Sequence, residues 1–327
     1  MNAWKNKTNG ANWSVSRDQQ LQVCERKYFF QYLAGGRINA PDPWQRNLGM
    51  LKKLKNIRMW EGECLHWAIA RYLGAVCNQQ RLTPGQVVEE LGDKVRREWQ
   101  FSEQKRFRKQ PMLIDKGGLA LLEHEYDCLP AGTTEVSILE NVVGAWKKFL
   151  DWANGPVGLI EKVRSADNVW IEPPMFGDNV PGFVLDDVQV IAKVDLAIEK
   201  SGAFLEIYDW KTGEAQPQNG SKIGQNELQV SVYQLWPHLS MKVPLEMISS
   251  FLVYFGGGTP EVCTYRLDEK RVPLILLTIR NSIAQAHRCE SNILSGEMRL
   301  EDLDYASSLA FCRDCAFKGP CQESLIK

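Results

Sequence analysis

The sequence carries almost no net charge: 39 Lys and Arg against 40 Asp and Glu leave a formal −1 over 327 residues. A chain so balanced has no overall basic field to collect polyanions, so any nucleic-acid contact must come from a local patch. No run of about 18 apolar residues occurs, and the opening MNAWKNKTNG lacks the apolar core of a secretory signal. A cytoplasmic protein without membrane contact is therefore expected. There is no internal repeat, low-complexity tract or Walker phosphate loop, so the chain carries no ATP-driven motor of its own. What is present, 44% hydrophobic residues including 11 tryptophans, is enough to bury a sizeable core.

The stretch from Val188 to Glu214, VQVIAKVDLAIEKSGAFLEIYDWKTGE, reads as two strands joined by a tight turn at Lys200-Ser201-Gly202. Alternation puts Leu205, Ile207, Asp209 and Lys211 on one face, two apolar residues and then an acid and a base. That is a buried strand opening into a polar cleft, to which Asp195 on the neighbouring strand can add a second carboxylate. Two acids and a lysine suit a hard cation with a cationic helper, the layout for phosphodiester hydrolysis. An acid-x-lysine triplet alone says little, and Glu103-Gln104-Lys105 and Asp268-Glu269-Lys270 repeat it. Asp268 is better read as a helix cap. Context singles out Asp209-Trp210-Lys211: an apolar strand before it, Gly213 after it and an acid on the hairpin partner.

Nine cysteines are many for a cytoplasmic chain. Cys64, Cys77, Cys128, Cys263 and Cys289 are scattered singly through apolar segments and read as buried small hydrophobes. Cys312, Cys315 and Cys321 are bunched as CRDCAFKGPC, three soft ligands that want a fourth. Cys24, in a helix rich in Tyr28, Phe29 and Phe30, is the natural candidate. Spacing alone leaves an iron–sulfur cluster, a zinc knuckle and ordinary thiols open. Coordination by Cys24 would close nearly the whole chain into one loop, worth about 4–5 kcal/mol on the chain-entropy model.

Periodicity predicts the rest. A helix is expected over residues 16–36, capped by Ser16 with Gln19 and stopped by Gly35-Gly36. Residues 37–55 read as a loop and a short helical turn. A helix from Arg58 to Leu73 contains Gly62 and His66, the glycine suggesting a close approach. Thr83, Pro84 and Gln86 start another helix. Its continuation carries Lys94, Arg96, Arg97, Lys105, Arg106, Arg108 and Lys109 among Trp99, Phe101 and Phe107. This is either a local nucleic-acid patch or a solvated face balanced by Glu89, Glu90, Glu98 and Glu103. Two more helices are expected from Gly117 to Leu129 and from Glu135 to Ala153. Strands are expected at VWIEPPMF, VQVIAKVDLAIE, AFLEIYDWKTG, MISSFLVYFG and EVCTYRL, with helices from Gln225 to Leu239 and from Arg271 to Leu294. Gln229 and Tyr233, four residues apart, share a helix face beside the cleft. His124, His238 and His287 look like ordinary helix residues.

In this order, Cys24, Gly62-to-His66, Asp195, Asp209-Trp210-Lys211-Thr212-Gly213, Gln229/Tyr233 and CRDCAFKGPC resemble the RecB-like nucleases of the PD-(D/E)XK superfamily. The iron–sulfur branch is most similar, with the CRISPR-associated RecB-like exonucleases, the AddB nuclease domain and the exonuclease V proteins. The resemblance spans Val15 to Cys321 through motifs only, and residues 80–165 match nothing in it. It implies an α/β restriction-endonuclease-like core, a central mixed sheet flanked by helices, filling residues 1–327 as a single nuclease domain. Within it would lie the first cluster cysteine at 16–36, a helical insertion at 80–165, a catalytic core at 168–290 and a cluster-binding segment at 305–327.

Carried over residue by residue, the resemblance implies that His66, Asp195, Asp209 and the Trp210 carbonyl bind Mg²⁺ or Mn²⁺. Lys211 would orient or deprotonate the attacking water, Gln229 would face the metal or a phosphate, and Tyr233 the substrate backbone. Cys24, Cys312, Cys315 and Cys321 would hold a [4Fe–4S] cluster. Ala192 stands where many relatives have glycine, a change a strand tolerates. The expected function is metal-dependent cleavage of DNA, exonucleolytic on single strands, on existing ends or with a helicase or defence-complex partner. Two other readings remain: a non-catalytic DNA-end-binding or scaffold subunit, and a zinc-clamped RNA nuclease.

Overall fold

The computed structural model describes residues 12–114, 116–173, 180–215 and 225–323. The lead-in before residue 12 and the end of VWIEPPMF lie outside the described residues.

Along the chain come α1 (Val15–Val23), α2 (Glu25–Tyr28) with a π turn over Phe29–Ala34, and α3 (Pro43–Leu51). Then follow α4 (Ile57–Cys77), α5 (Pro84–Glu103), α6 (Arg106–Lys109), α7 (Leu122–Glu125), α8 (Glu135–Asn154) and α9 (Leu159–Ser165). The strands are β1 (Asn168–Ile171), β2 (Gly182–Leu185), β3 (Val188–Ile191), β4 (Leu196–Lys200), β5 (Phe204–Lys211), β6 (Ile248–Tyr254) and β7 (Glu261–Tyr265). α10 (Gln225–Ser240) joins β5 to β6, and α11 (Val272–Ser295), α12 (Leu309–Arg313) and α13 (Lys318–Glu323) complete the order.

Five strands form one sheet in the order β1-β4-β5-β6-β7; β5 and β6 run parallel and the other pairs antiparallel. A parallel pair needs a long crossover, and α10 supplies it. The result is the mixed, helix-flanked sheet of a restriction-endonuclease-like core. Alternation along β5 divides the interior. Tyr208 and Trp210 face a core shared with α4, α5, α8 and α9, while Leu205 and Ile207 face one shared with α10 and α11. A third core gathers α1–α3 with Cys289, Leu303 and Phe317, joining the two chain ends.

Several elements depart from the sequence expectation. The first helix is capped by Ser14, not Ser16, and is not continuous. At Cys24 the backbone is extended, φ −163°, and the thiol accepts the Lys27 N–H, starting α2. A polar side-chain acceptor at an N-cap restarts a helix where periodicity sees only one. The helix expected over residues 117–129 shrinks to the single turn of α7. VQVIAKVDLAIE is two strands in two sheets: β3 pairs with β2, β4 with β1 and β5. Both halves alternate, so alternation alone cannot reveal the change of sheet between them. β2 was hidden as well; its turn to β3 is Asp186-Asp187, both at positive φ (48° and 65°), the conformation of a two-residue hairpin loop.

Candidate active site and cysteine cavity

β5 ends the apolar ladder with Asp209 and Lys211 on the face toward α10. The Lys211 Nζ lies 2.7 Å from Asp209 Oδ2 and donates to Gln229 Oε1 at 3.2 Å. The Gln229 amide nitrogen donates to Asp209 Oδ1 at 3.1 Å, and the Tyr233 hydroxyl donates to the same oxygen at 2.8 Å. The four-residue step on α10 thus places Gln229 and Tyr233 side by side over one carboxylate. Asp209 is 4% exposed. Burial and the charge of Asp195 push its carboxyl upward, against the pull of Lys211 and Tyr233. Burial beside Asp209 drives the Tyr233 phenol well above its ordinary value, so it stays a donor.

On the other side of Asp195, α4 brings in His66. Its Nε2 donates to the Trp210 carbonyl at 3.0 Å, and its Nδ1 lies 3.2 Å from Glu172 Oε1 and 3.3 Å from Asp195 Oδ1. Asp195 Oδ2 accepts the Trp210 N–H at 2.7 Å, so both polar groups of the Trp210 peptide are held. Its indole is wedged against Phe149 and Trp152 of α8 and Phe255. Burial lowers the His66 imidazole, but the Asp195 charge and bonds to Asp195 and Glu172 outweigh it and push it up to about 10. His66, Glu172 and Asp195 offer ligand atoms within 4.8 Å of one another.

Glu172 was not anticipated. It stands one residue beyond β1, opposite Asp195, and its N–H donates to the Asp195 carbonyl at 2.9 Å. Its φ of 41° is a strained setting for a side chain other than glycine, of the kind that clusters at functional sites. The available signal was an acid closing a strand ahead of Pro173-Pro174, on the segment that pairs with the strand of Asp195. Gly62 also differs from expectation: a Cβ there would sit 3.8 Å from Thr212, an ordinary contact. The tight approach is at Gly256, where a Cβ would lie 2.5 Å from the Gly213 carbonyl carbon.

Two carboxylates, an imidazole and a carbonyl oxygen converge here beside the buried carboxyl of Asp209. The oxygen-rich donor set with one imidazole fits Mg²⁺ or Mn²⁺. Comparison with protein-family models gives a match to the PD-(D/E)XK nuclease superfamily over residues 12–322. The chain belongs to that superfamily. No curated protein matches it. Membership makes the protein a nuclease, with DNA as the implied substrate and divalent metal as the implied cofactor. Among the described residues no helix is long and apolar enough to cross a membrane.

The cysteines of the α1–α2 junction and the C-terminal segment come together at one cavity. Cys24, Cys312, Cys315 and Cys321 line one cavity of about 410 Å³. Burial raises the Cys24 and Cys315 thiols, while the Lys27 and Phe317 N–H groups bonded to their sulfurs pull the other way. Arg26, Lys27, Arg313 and Lys318 line the same cavity and, among the described residues, no carboxylate does; Arg313 pairs with its neighbour Asp314 at 3.4 Å. On the basic helix face Lys94 pairs with Glu98, Arg96 with Asp93, Lys105 with Asp127 and Arg108 with Glu125, so of the four acids expected to balance it Glu98 is the one among these partners.

Proposed function

We propose that this superfamily nuclease is a single-strand DNA exonuclease of the RecB-like iron–sulfur type. The observation that carries the proposal is the junction of two half-sites at Asp195 and Asp209. His66, Glu172 and Asp195 converge on one side, and Asp209 with Lys211, Gln229 and Tyr233 on the other. His66, Asp195, Asp209, the Trp210 carbonyl and Glu172 would hold Mg²⁺ or Mn²⁺. The ion would lower the pKa of a bound water and offset charge on the pentavalent phosphorus. Gln229 uses both ends of its amide, one on Lys211 and one on Asp209, and so fixes the ammonium relative to the carboxylate. Lys211, as the ammonium, then has one N–H left to donate to the attacking water, which it orients, while the proton of that water leaves to solvent. Tyr233 keeps Asp209 hydrogen-bonded and leaves its other oxygen toward Lys211.

Cys24, Cys312, Cys315 and Cys321 would hold a [4Fe–4S] cluster, which supplies a covalent staple between the two chain ends. The cavity lining, with Arg26, Lys27, Arg313 and Lys318 and, among the described residues, no carboxylate, suits an anionic thiolate-bound group. With no motor in its sequence, the nuclease would work on existing ends or beside a helicase or defence-complex partner in the cytoplasm.

The test is digestion of single strands labelled at either end, with Mn²⁺, by the native protein and by Lys211→Ala. Stepwise shortening by the native protein alone is expected. Cleavage that starts internally overturns the exonuclease assignment, and activity that survives in Lys211→Ala overturns the role of the lysine.

A further inference from the structure

One side chain of the helical layer that plays no part in the chemistry proposed above reaches the loop beside the catalytic strand. Lys148, half-buried on α8, donates from Nζ to the Phe255 carbonyl at 3.1 Å and to the Gly257 carbonyl at 2.6 Å. Both carbonyls belong to the loop that follows β6. The same loop grips the residues after Asp209. The Phe255 N–H donates to the Lys211 carbonyl at 2.8 Å, and the Gly256 N–H to the Gly213 carbonyl at 3.1 Å. The two loops touch so closely at Gly256 that a single added carbon would collide with the Gly213 backbone.

We propose that Lys148 is a positioning residue for the end of β5: it fixes the 255–257 loop, which in turn fixes the backbone that carries Lys211. The proposal rests on the reading of Lys211 as the catalytic lysine. An ammonium suits this task because it has three donors and can bridge two carbonyls that point the same way. A cavity of about 420 Å³, lined by Lys148, Glu61, Asn141 and Thr212, adjoins the contact. Water entering there can hydrate the two carbonyls once the ammonium is gone. Removing Lys148 therefore loosens the loop and leaves no buried carbonyl unpaired, so placement suffers before stability does. Glu61 and Glu140 line the cavity too, which argues against Lys148 being there to bind a phosphate.

The experiment compares Lys148→Met, Lys148→Arg and the native protein in two readouts. In steady-state cleavage of a single-stranded oligonucleotide with Mn²⁺, Lys148→Met should lose about tenfold to a hundredfold in kcat, the scale of a small misplacement of a catalytic group. KM should change less than about twofold, and Lys148→Arg, which keeps two donors in reach, should recover much of the loss. In amide hydrogen exchange, the two donors Phe255 and Gly256 should exchange faster in Lys148→Met and return toward native rates in Lys148→Arg. Gly256→Ala, which forces the same loops apart, should mimic the kcat loss, and the double variant should lose no more than the worse single one. Native kcat with native exchange in Lys148→Met overturns the proposal, as does a raised KM at unchanged kcat, which marks a phosphate contact. If the native protein cleaves no DNA, the functional reading fails. The exchange rates still decide whether Lys148 holds the loop.

Discussion

The cleft at the end of β5 and the cavity at the chain ends are built with opposite charge. Glu172, Asp195 and Asp209 crowd the cleft against one lysine and one imidazole. Arg26, Lys27, Arg313 and Lys318 line the cavity of the four thiols, with no carboxylate among its described lining residues. Burial and Asp195 push Asp209 toward its neutral form, and burial raises the thiols of Cys24 and Cys315. On the proposed reading a divalent cation would suit the first pocket and an anionic thiolate-bound group the second, so that one chain would sort two inorganic groups by the sign of the pocket as well as by ligand type.

The largest effect should follow from Lys211→Ala. Losing a group that orients the nucleophile and stabilises charge at the reacting atoms typically costs about 10²–10³ in rate. Cleavage should fall to background in the strand digest while Mn²⁺ binding, measured by calorimetry, stays near native. Next comes Cys24→Ser. It should abolish the brown colour and bound iron of anaerobically purified protein, yet leave Mn²⁺ affinity at the cleft within about twofold, since distant sites without shared partners behave independently. Loss of both metals together would break the comparison, because the two pockets would then not be separate devices.

The third effect sharpens the electrostatic half of the argument. His66 is pushed up to about 10, above its ordinary value of about 6.5. In the metal-free protein its contribution to stability is therefore full below pH about 6.5 and is lost as pH rises through about 10. Metal binding has the reverse dependence, since a ligand imidazole must first release its proton. Apparent Mn²⁺ affinity should rise about tenfold per pH unit between about 6 and 8, with proton release visible in buffers of different ionisation heat. His66→Gln should flatten that slope, and a flat profile in the native protein would remove His66 from the ligand set.

How much of this was legible in the sequence depends on how local the signal was. Thr83 with Pro84 and Gln86, Asp268 as a cap, and Asp209-Trp210-Lys211 at the end of a buried strand all follow from neighbours within four residues, and the structure has them in those positions. Cys24 was joined to the three bunched thiols by its aromatic setting, whereas the His66–Asp195 approach, distant in sequence, came from the family resemblance. Glu172 was missed because its role depends on β1 lying against β4, a pairing no period-two pattern announces. Lys148 was missed for the same reason: on its own helix it is one more polar residue, and only the 255–257 loop gives it partners. The break at Cys24 was invisible because a thiol rarely caps a helix, so residues 16–36 looked like one helix.

The smallest effect tests what the proposed cluster would contribute to stability. Sequence alone assigns it a loop-closure gain of about 4–5 kcal/mol, because Cys24 and the C-terminal thiols are almost a chain length apart. That figure assumes the ends are otherwise free, and they are not. Arg26, 2% exposed, donates to the Leu303 carbonyl at 3.2 Å and stacks on the Tyr305 ring at 3.9 Å. The Tyr126 hydroxyl donates to the Ala316 carbonyl, and Phe30 stacks on Phe317. Because these contacts already close the loop, Cys312→Ser should lower Tm by only a few degrees, on the scale of about 2–4 °C per kcal/mol. Arg26→Met removes the clasp. In that background the same cysteine change should cost more, and limited proteolysis should now cut within the residues after Leu303. Equal costs in the two backgrounds would show that the cluster, and not the protein contacts, brings the ends together.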